Sequence, residues 1–495
     1  MRIKITCVFL FAAQIIFAQT WKWNPTEKIE DNFNLHFCGQ SGKNAFVLFS
    51  KFSIKKDFKV SANNNPIMWE RKNVLTLVKY NTSSYTPASQ TPFEFKKELS
   101  VFYDGFISEN NLYFLYTSIE KGKIVFYADK YDVNGQFNET ISMYEPPVTL
   151  GSMNIAINDD RLPSYYTFTA SDNKNFICLN AVDGSIMLFD KSMKKLWQNK
   201  FEYKYLTDVI AQDDGTVYAL GGTDSQQDLI KYDNTGKSSI QKINYSEQAV
   251  QDFNLRADEK NKLVYVLAVY GVSDKKFKMY WGPKRSSYFM SNGLLVNAYD
   301  MASLTEKNKV KIPFSDEILL AVSGKSKIEK VKGLESIVFD NLFFTNDGGV
   351  IAIMQKQFTV QKDITGANGR LMRTEYRACY ADIILIKTDK NGATVQKRIE
   401  RATQGDSKYD YMFTSASFFI NDKLYIMYNE GTSSYTLKSL VFSANLDDVS
   451  QKEIKTYQEH KVYLSLRNSA SVGDKKIIVW GKEAKNVSSA ILKFD

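Results

Sequence analysis

The stretch Asp213-Asp-Gly-Thr-Val-Tyr-Ala-Leu-Gly-Gly-Thr-Asp-Ser-Gln-Gln-Asp-Leu-Ile-Lys-Tyr-Asp-Asn-Thr-Gly-Lys-Ser-Ser-Ile-Gln-Lys-Ile243 decides the fold. It holds a polar turn, an apolar strand over 217–220, a second strand ending in Lys-Tyr-Asp, another turn, and a third strand ending at Ile243. Asp-Asp-Gly and Asp-Asn-Thr-Gly are residue types that tolerate positive φ in a hairpin. The unit recurs eight times. Its apolar strand reads Ala45-Phe-Val-Leu-Phe49, Leu112-Tyr-Phe-Leu-Tyr116, Phe176-Ile-Cys-Leu179, Val217-Tyr-Ala-Leu220, Leu263-Val-Tyr-Val-Leu267, Val350-Ile-Ala-Ile-Met354, Leu424-Tyr-Ile-Met-Tyr428 and Ile477-Ile-Val-Trp480. Each is followed by a partner such as Val125-Phe-Tyr-Ala-Asp-Lys-Tyr131, Leu295-Val-Asn-Ala-Tyr299 or Ile491-Leu-Lys-Phe494.

Units of four strands repeated radially make a β-propeller. Counted from Phe46 in the first, successive copies begin 66, 64, 41, 46, 87, 74 and 53 residues apart. The shortest intervals suit four strands of about six residues with tight turns, and the longer ones carry insertions. The chain ends on the strand that elsewhere precedes a fourth, outer strand. The missing strand is at the other terminus, in Trp21-Lys-Trp-Asn-Pro-Thr-Glu-Lys-Ile29. The expectation is one all-β domain over 19–495, an eight-bladed propeller whose ring is closed by the N-terminal strand, with seven blades as the rival count.

Composition agrees. Of 495 residues, 44% are apolar, 24% charged and 14% aromatic, with 25 Gly and nine Pro. That excludes collagenous, low-complexity and disordered chains, and the aromatic share favours pleated, half-buried surfaces. At the start, Arg2 and Lys4 lead into an apolar run over 5–17 that closes at Ala18. The run is too short to span a bilayer of ~30 Å, and it reads as a cleavable signal peptide over 1–18. Cys7 lacks the spacing of a lipoprotein signal. No later stretch approaches 18 uninterrupted apolar residues, so the mature chain is expected to hold no transmembrane segment and to work in the periplasm, at the outer membrane or outside the cell. Cys38, Cys178 and Cys379 are too few and too far apart for a disulfide framework, and free buried thiols are expected.

Family resemblance is carried by two short stretches. Asp183-Gly-Ser-Ile-Met-Leu-Phe-Asp-Lys-Ser-Met-Lys-Lys-Leu-Trp197 resembles the repeat of quinoprotein-type propellers, including the periplasmic scaffold propeller of outer-membrane protein assembly. Phe17-Ala-Gln19 resembles the signal ending of secreted Bacteroidota proteins. The tryptophan docking motif of quinoprotein dehydrogenases is absent from the sequence, so the resemblance implies a scaffold and no cofactor.

Sequence signs of catalysis are few. His36 and His460 are the only histidines, and no spacing suits zinc or haem. In Phe33-Asn-Leu-His-Phe37, alternation puts His36 opposite the aromatic face, which gives a channel-lining or an ordinary half-buried histidine. The pairs Asp159-Asp160, Asp213-Asp214 and Asp447-Asp448 read as solvated turn acids rather than as the paired carboxylates of a glycosidase. The strings Asp132-Val-Asn-Gly135 and Asp389-Lys-Asn-Gly392 recur at one repeat position and read as hairpin turns rather than calcium loops.

The insertions are the informative part. They occupy 51–72, 144–165, 272–292, 313–335 and 358–380. All fall between the second and third strands of a blade or between blades, which places them on one face, where elaborated loops on a rigid scaffold usually bind. The first is +4 through Lys51, Lys55, Lys56, Lys59, Arg71 and Lys72 against Asp57 and Glu70. The insertion at 272–292 is also +4, and that at 358–380 is +2. With the signal removed the net charge falls from +9 to +7, so these three leave the rest of the chain mildly acidic. Lys55, Lys56 and Trp69, then Lys276, Lys278, Tyr280, Trp281, Lys284 and Arg285, then Arg370, Arg373, Tyr376 and Arg377 interleave cations with aromatics. Such a mixture holds acidic protein surfaces or anionic glycans. The expected function is a non-enzymatic envelope scaffold that docks a protein or an outer-membrane complex. The alternatives are binding or cleavage of an anionic polysaccharide, and a place as a subunit of an outer-membrane protein-export complex. Export makes nucleic acid an unsuitable partner.

Overall fold

A computed structural model describes residues 20–23, 27–28, 33–55, 70–81, 87–97, 101–121, 123–147, 166–181, 183–201, 203, 205–222, 227–245, 249–273, 289–365, 371–390, 392–406, 415–430, 436–454, 459–460, 463–471, 475–483 and 486–494. Its strands form eight antiparallel sheets, one per blade. Blade 1 runs Phe33–Ser41, Asn44–Lys55, Glu70–Asn81, Pro87–Phe93, and blade 2 runs Val101–Ser108, Asn111–Glu120, Lys123–Asp132, Phe137–Tyr144. Blade 3 is Tyr166–Ala170, Phe176–Ala181, Ser185–Asp190, Lys195–Lys200, and blade 4 is Tyr205–Ala211, Val217–Gly222, Gln227–Tyr232, Ser238–Ile243. Blade 5 is Ala249–Asp258, Leu263–Ser273, Phe289–Asp300, Glu306–Pro313, and blade 6 is Ile337–Phe344, Val350–Thr365, Leu371–Thr388, Thr394–Ile399. Blade 7 is Ser415–Ile420, Lys423–Glu430, Thr436–Ser443, Asp448–Ile454. Blade 8 takes Tyr463–Ser471, Lys476–Glu483 and Asn486–Lys493 from the C-terminal end and its outer strand from Thr20–Trp23, with Trp21 opposite Leu492 and Trp23 opposite Ala490. Glu27–Lys28 continues along the same edge, one register position displaced. The count is eight, and the N-terminal strand completes the last blade, as the sequence implies.

The middle strands are apolar on both faces because each blade is covered on both sides. Val217–Gly222 is buried throughout. One set of alternate residues faces the preceding blade and the other set the following one, so the core is a circle of eight seams. Tyr218, Leu220 and Leu229 meet Leu255, Val264 and Val266 between blades 4 and 5. Ala45, Val47 and Phe49 meet Ile478, Trp480 and Ile491 between blades 1 and 8, which closes the ring. Cys38, Cys178 and Cys379 are buried in this packing, none of them in a disulfide.

The third-to-fourth strand turns repeat one device. Asp132 Oδ1 accepts the amides of Asn134 and Gln136 at 2.8 Å, and Asp233 Oδ1 those of Thr235 and Lys237 at 2.9 and 3.0 Å. Asp389 does the same for Ala393 at 2.8 Å. Gly135, Gly236 and Gly392 follow at φ of 86° to 87°, which a side chain would strain. Those Asp-Asn-Gly strings are hairpin turns.

The inner strands carry latches at their bulges. Asp208 Oδ2 in blade 4 accepts the Leu255 amide of blade 5 at 2.8 Å, and Asp252 in blade 5 accepts the Phe339 amide of blade 6 at 2.5 Å. Asn341 in blade 6 donates to Ser417 in blade 7 at 3.1 Å. His36 lies on the innermost strand of blade 1, half-buried, with Nε2 at 2.9 Å from the Gly105 carbonyl and against the Asp104 carboxylate of blade 2. Its ring meets Phe102 edge-on. The ordinary half-buried reading of His36 holds, with a seam role that alternation alone did not give.

The insertion at 313–335 is not a loop. Ser315 caps the α-helix Asp316–Ser323, which ends at Gly324 in the left-handed region. Ile318 and Val322 pack on Phe314, Leu334 and Ile337, wedging blades 5 and 6 together. Its turn-forming start is pinned where the Ser315 amide donates to Gln396 at 3.0 Å and Gln396 donates to the Pro313 carbonyl at 2.7 Å. Among the described residues no helix is long and apolar enough to cross a membrane.

A candidate docking face

The second-to-third strand hairpins on the elaborated face outgrow their blades. Blade 3 needs six residues in each middle strand, whereas blade 6 uses 16 in Val350–Thr365 and 18 in Leu371–Thr388. These two pair from Val350 opposite Thr388 out to Thr365 opposite Leu371. Beyond Gln357 and Tyr380 they form a two-stranded ribbon of about 30 Å at ~3.3 Å per residue. Blade 1 extends similarly to Lys55 opposite Glu70, and blade 5 to Ser273 opposite Phe289. Insertion 358–380 is therefore paired strand over most of its length rather than a loop, and the described ends of insertion 51–72 are paired strand as well.

The candidate residues divide accordingly. Arg373 stands opposite Ile364, Tyr376 opposite Gln361 and Arg377 opposite Val360, so the structure brings these three into the blade 6 ribbon. Lys55 stands opposite Glu70, at the end of the described part of its strand. Lys56, Trp69, Lys276, Lys278, Tyr280, Trp281, Lys284, Arg285 and Arg370 lie outside the described residues, as do Asp159, Asp160 and most of insertion 144–165.

A buried polar clamp holds the ribbon at its root. Asp382, 7% exposed, accepts Arg398 Nε at 3.1 Å and the Arg401 amide at 3.0 Å. Arg401, 3% exposed, lies over the Tyr428 ring at 5.1 Å and donates to the Asn429 carbonyl in blade 7 at 3.3 Å. Burial pulls its guanidinium down to about 10, against the attraction of Tyr428, Glu430 and Asp340, so it stays charged at neutral pH. Asn429 reaches on to the Leu464 carbonyl of blade 8 at 2.8 Å. On the other strand the Gln357 amide donates to the Ser336 carbonyl at 2.8 Å, and Lys356 Nζ to the Val322 carbonyl at the helix C-terminus at 3.3 Å. Ser415 donates to Asp340 at 2.9 Å beside them. A third strand, Gln404–Asp406, pairs with the ribbon root at 378–380.

Sequence reading missed this clamp. Arg398-Ile-Glu-Arg401 looks like a solvated charged link, and only the closeness of Tyr428 and Asn429 in blade 7 buries Arg401. Chemically, the arrangement fixes a cationic, aromatic-bearing ribbon to a rigid ring. Among the described residues no group of His, Cys, Asp and Glu is arranged to hold a metal ion.

No protein-family model matches the chain, and no curated protein matches it. Among solved structures it is similar to BamB from Moraxella catarrhalis, at 9% identity and a TM-score of 0.43 over 96% of this chain and 100% of that one. It is also similar to the Dos1 propeller, at 10% identity and 0.46 over 95% of each chain. A third is the polysaccharide lyase Uly1, at 11% and 0.39 over 94% of this chain and 90% of that one. At this level of similarity nothing about ligand, partner or reaction transfers.

Proposed function

We propose that the protein is an exported, non-catalytic propeller of the cell envelope that docks a protein partner, or an outer-membrane complex, through the face bearing the blade 6 ribbon. The observation that carries this reading is the ribbon itself. A blade is complete with strands of about six residues, so some 30 Å of additional paired backbone lies beyond what the blade requires and carries Arg373, Tyr376 and Arg377 in its register. The clamp of Asp382, Arg398 and Arg401 supports it, because a docking element held by rigid elements loses less entropy on binding. Export is supported by the signal-like run over 1–18.

Affinity capture of the tagged chain from crosslinked envelopes tests it. A stoichiometric protein partner should be recovered and should be lost when Arg373, Arg377, Lys276 and Lys278 are changed to Glu. Recovery of the chain alone overturns the reading. So does binding to an anionic glycan that persists after all partner proteins are removed.

A further inference from the structure

We infer that the rim of the ring holds a second docking site: an extended acidic segment of a partner protein adds to the outer edge of blade 4, at Ser238–Ile243. The inference goes beyond the docking reading above, because this edge belongs to the wall of the ring and not to the ribbon.

Exposed sheet edges are normally guarded by bulges, prolines, covering elements or shortness. Blades 1, 2, 3, 5 and 7 break the pairing of their outer strand with a register shift. Blade 6 has the helix Asp316–Ser323 beside its outer strand, where Gln396 is bonded to Ser315 and Pro313. Blade 8 has a short outer strand of four residues. Blade 4 has none of these guards. Its Ser238–Ile243 pairs with Gln227–Tyr232 in unbroken register and holds no proline.

The turn before this strand fixes which of its backbone groups point outward. The Asp233 amide donates to the Lys237 carbonyl at 3.0 Å, so these two form a hydrogen-bonded pair. Such pairs alternate with pairs whose N–H and C=O groups point away from the partner strand. Along the register, Ser239, Gln241 and Ile243 therefore bond Gln227–Tyr232, while Ser238, Ile240 and Lys242 turn their amides and carbonyls outward. The Lys242 carbonyl agrees, since it accepts the Gln241 side chain at 3.0 Å. Residues 227–232 and 233–245 are described throughout, and Ser238, Ser239, Ile240 and Lys242 are exposed. No strand among the described residues pairs with this edge. Outward donors and acceptors in regular alternation are the template that strand addition uses.

Two observations specify the occupant. Ile240 stands opposite Ile230, on the face where Trp197 of blade 3 stacks on Tyr232 at 5.4 Å, yet it is 54% exposed. Lys242 follows on the same face, two positions along. The outer strands of blades 3, 4 and 5 carry Lys195, Lys200, Lys242, Lys307, Lys309 and Lys311 against Glu306, a net +5, and all six lysines are exposed. Those of blades 2 and 7 each carry −1. A second copy paired here, in either direction, would set the lysines of blades 3 and 5 against lysines, so this stretch of wall rejects its own kind and takes an acidic strand. A flat anionic membrane would touch only one blade of the curved wall and leave the outward amides unpaired. The occupant's residue opposite Ile240 is apolar and the one opposite Lys242 is acidic.

Hydrogen–deuterium exchange on the free chain and on the complex captured from solubilised envelopes tests it. The amides of Ser238, Ile240 and Lys242 should exchange freely in the free chain and at least tenfold more slowly in the complex. Carbodiimide coupling should join Lys242 to an Asp or Glu of the partner. Ile240→Pro removes an outward donor and keeps the blade's own ladder, as edge prolines do, so capture should fall at least tenfold with the fold retained. Lys242→Glu should lower capture at least fivefold and Lys242→Arg should not, a contrast that keeps the test decisive if the proline variant fails to fold. A partner that leaves the three amides unprotected overturns the inference and leaves the docking reading standing. Protection in the free chain, a second copy of this chain, a basic segment or a glycan at the edge also overturns it. Capture that survives Arg373→Glu with Arg377→Glu yet fails with Lys242→Glu keeps the inference and overturns the docking reading. Capture of nothing overturns both.

Discussion

Asp208 Oδ2 in blade 4 accepts the backbone N–H of Leu255 in blade 5 at 2.8 Å, so a side chain from one inner strand satisfies the main chain of the next. Oδ1 meanwhile caps the amide of Val209 at 2.8 Å. Leu255 is fully buried, so removing the acceptor leaves a donor with no route to water. Asp208→Ala should cost about 1–3 kcal/mol, and Asp208→Asn, which keeps an acceptor, less than about 1 kcal/mol. Urea unfolding midpoints check this. Equal midpoints for the alanine variant and the parent would remove the bulge carboxylates from any account of ring closure.

The seam between blades 1 and 2 is expected to respond to pH. Burial lowers the pKa of His36, but the hydrogen bond and charge of Asp104, with the Gly105 carbonyl, more than offset it, and Lys174 opposes only weakly, so the net shift is upward from 6.5. A histidine whose folded pKa is raised contributes stability that is fully present below its unfolded value and disappears as pH rises through the folded one. The melting gap between the parent and His36→Gln should be widest near pH 5.5 and close as the solution becomes alkaline. The imidazole is about one-third exposed, so the effect is at most about 1 kcal/mol. A gap that widens with pH would reverse the sign argued here.

The ring was legible because two-sided burial writes itself as continuous apolar runs punctuated by Asp, Asn and Gly. Val217–Gly222 shows it in six residues. Closure was legible because Asn486–Lys493 leaves its blade one strand short and Thr20–Trp23 supplies that strand. The helix Asp316–Ser323 carried signals that went unread. Ser315 before an apolar run, Asp316 and Glu317 in the first turn and Gly324 after it are start and stop marks, masked by the expectation of a loop. The clamp was not legible, since Arg401 is a local charge whose burial depends on blade 7 and Arg398 meets Asp382 only across the sheet, contacts no local pattern encodes. Ribbon residues Arg373, Tyr376 and Arg377 were found from charge and aromatic interleaving, but their pairing partners were not.

Asp382 ties the ribbon root to its clamp. Asp382→Ala removes the carboxylate from the half-buried Arg398 Nε and from the Arg401 backbone amide, leaving that buried amide without its acceptor. The expected loss is about 1–3 kcal/mol, the range for leaving a buried donor without its acceptor. A loosened root should also expose the ribbon backbone to protease before the ring unfolds. Limited trypsin digestion should then cut at Arg373 and Arg377 at least fivefold faster than in the parent. Unchanged cleavage alongside lower stability would show that the clamp serves the blade 6–7 seam alone.

If the ribbon is an addition to a complete ring, it can be removed without unfolding that ring. Phe358 and Cys379 are register partners, so an Asn-Gly turn joining them replaces 359–378 with a hairpin of ordinary length. The buried residues of blade 6, Val350, Ala352, Met354, Ile384 and Ile386, lie below the cut and keep their neighbours in blade 5. Ile351, Ile353, Ile383 and Leu385 keep theirs in blade 7. The trimmed chain should therefore melt within about 2 °C of the parent, a shift equivalent to roughly 1 kcal/mol or less, while its partner capture falls to background. Strong destabilisation would mean that the ribbon packs back on the ring as a structural element. Full retention of capture would move the docking surface elsewhere on the elaborated face.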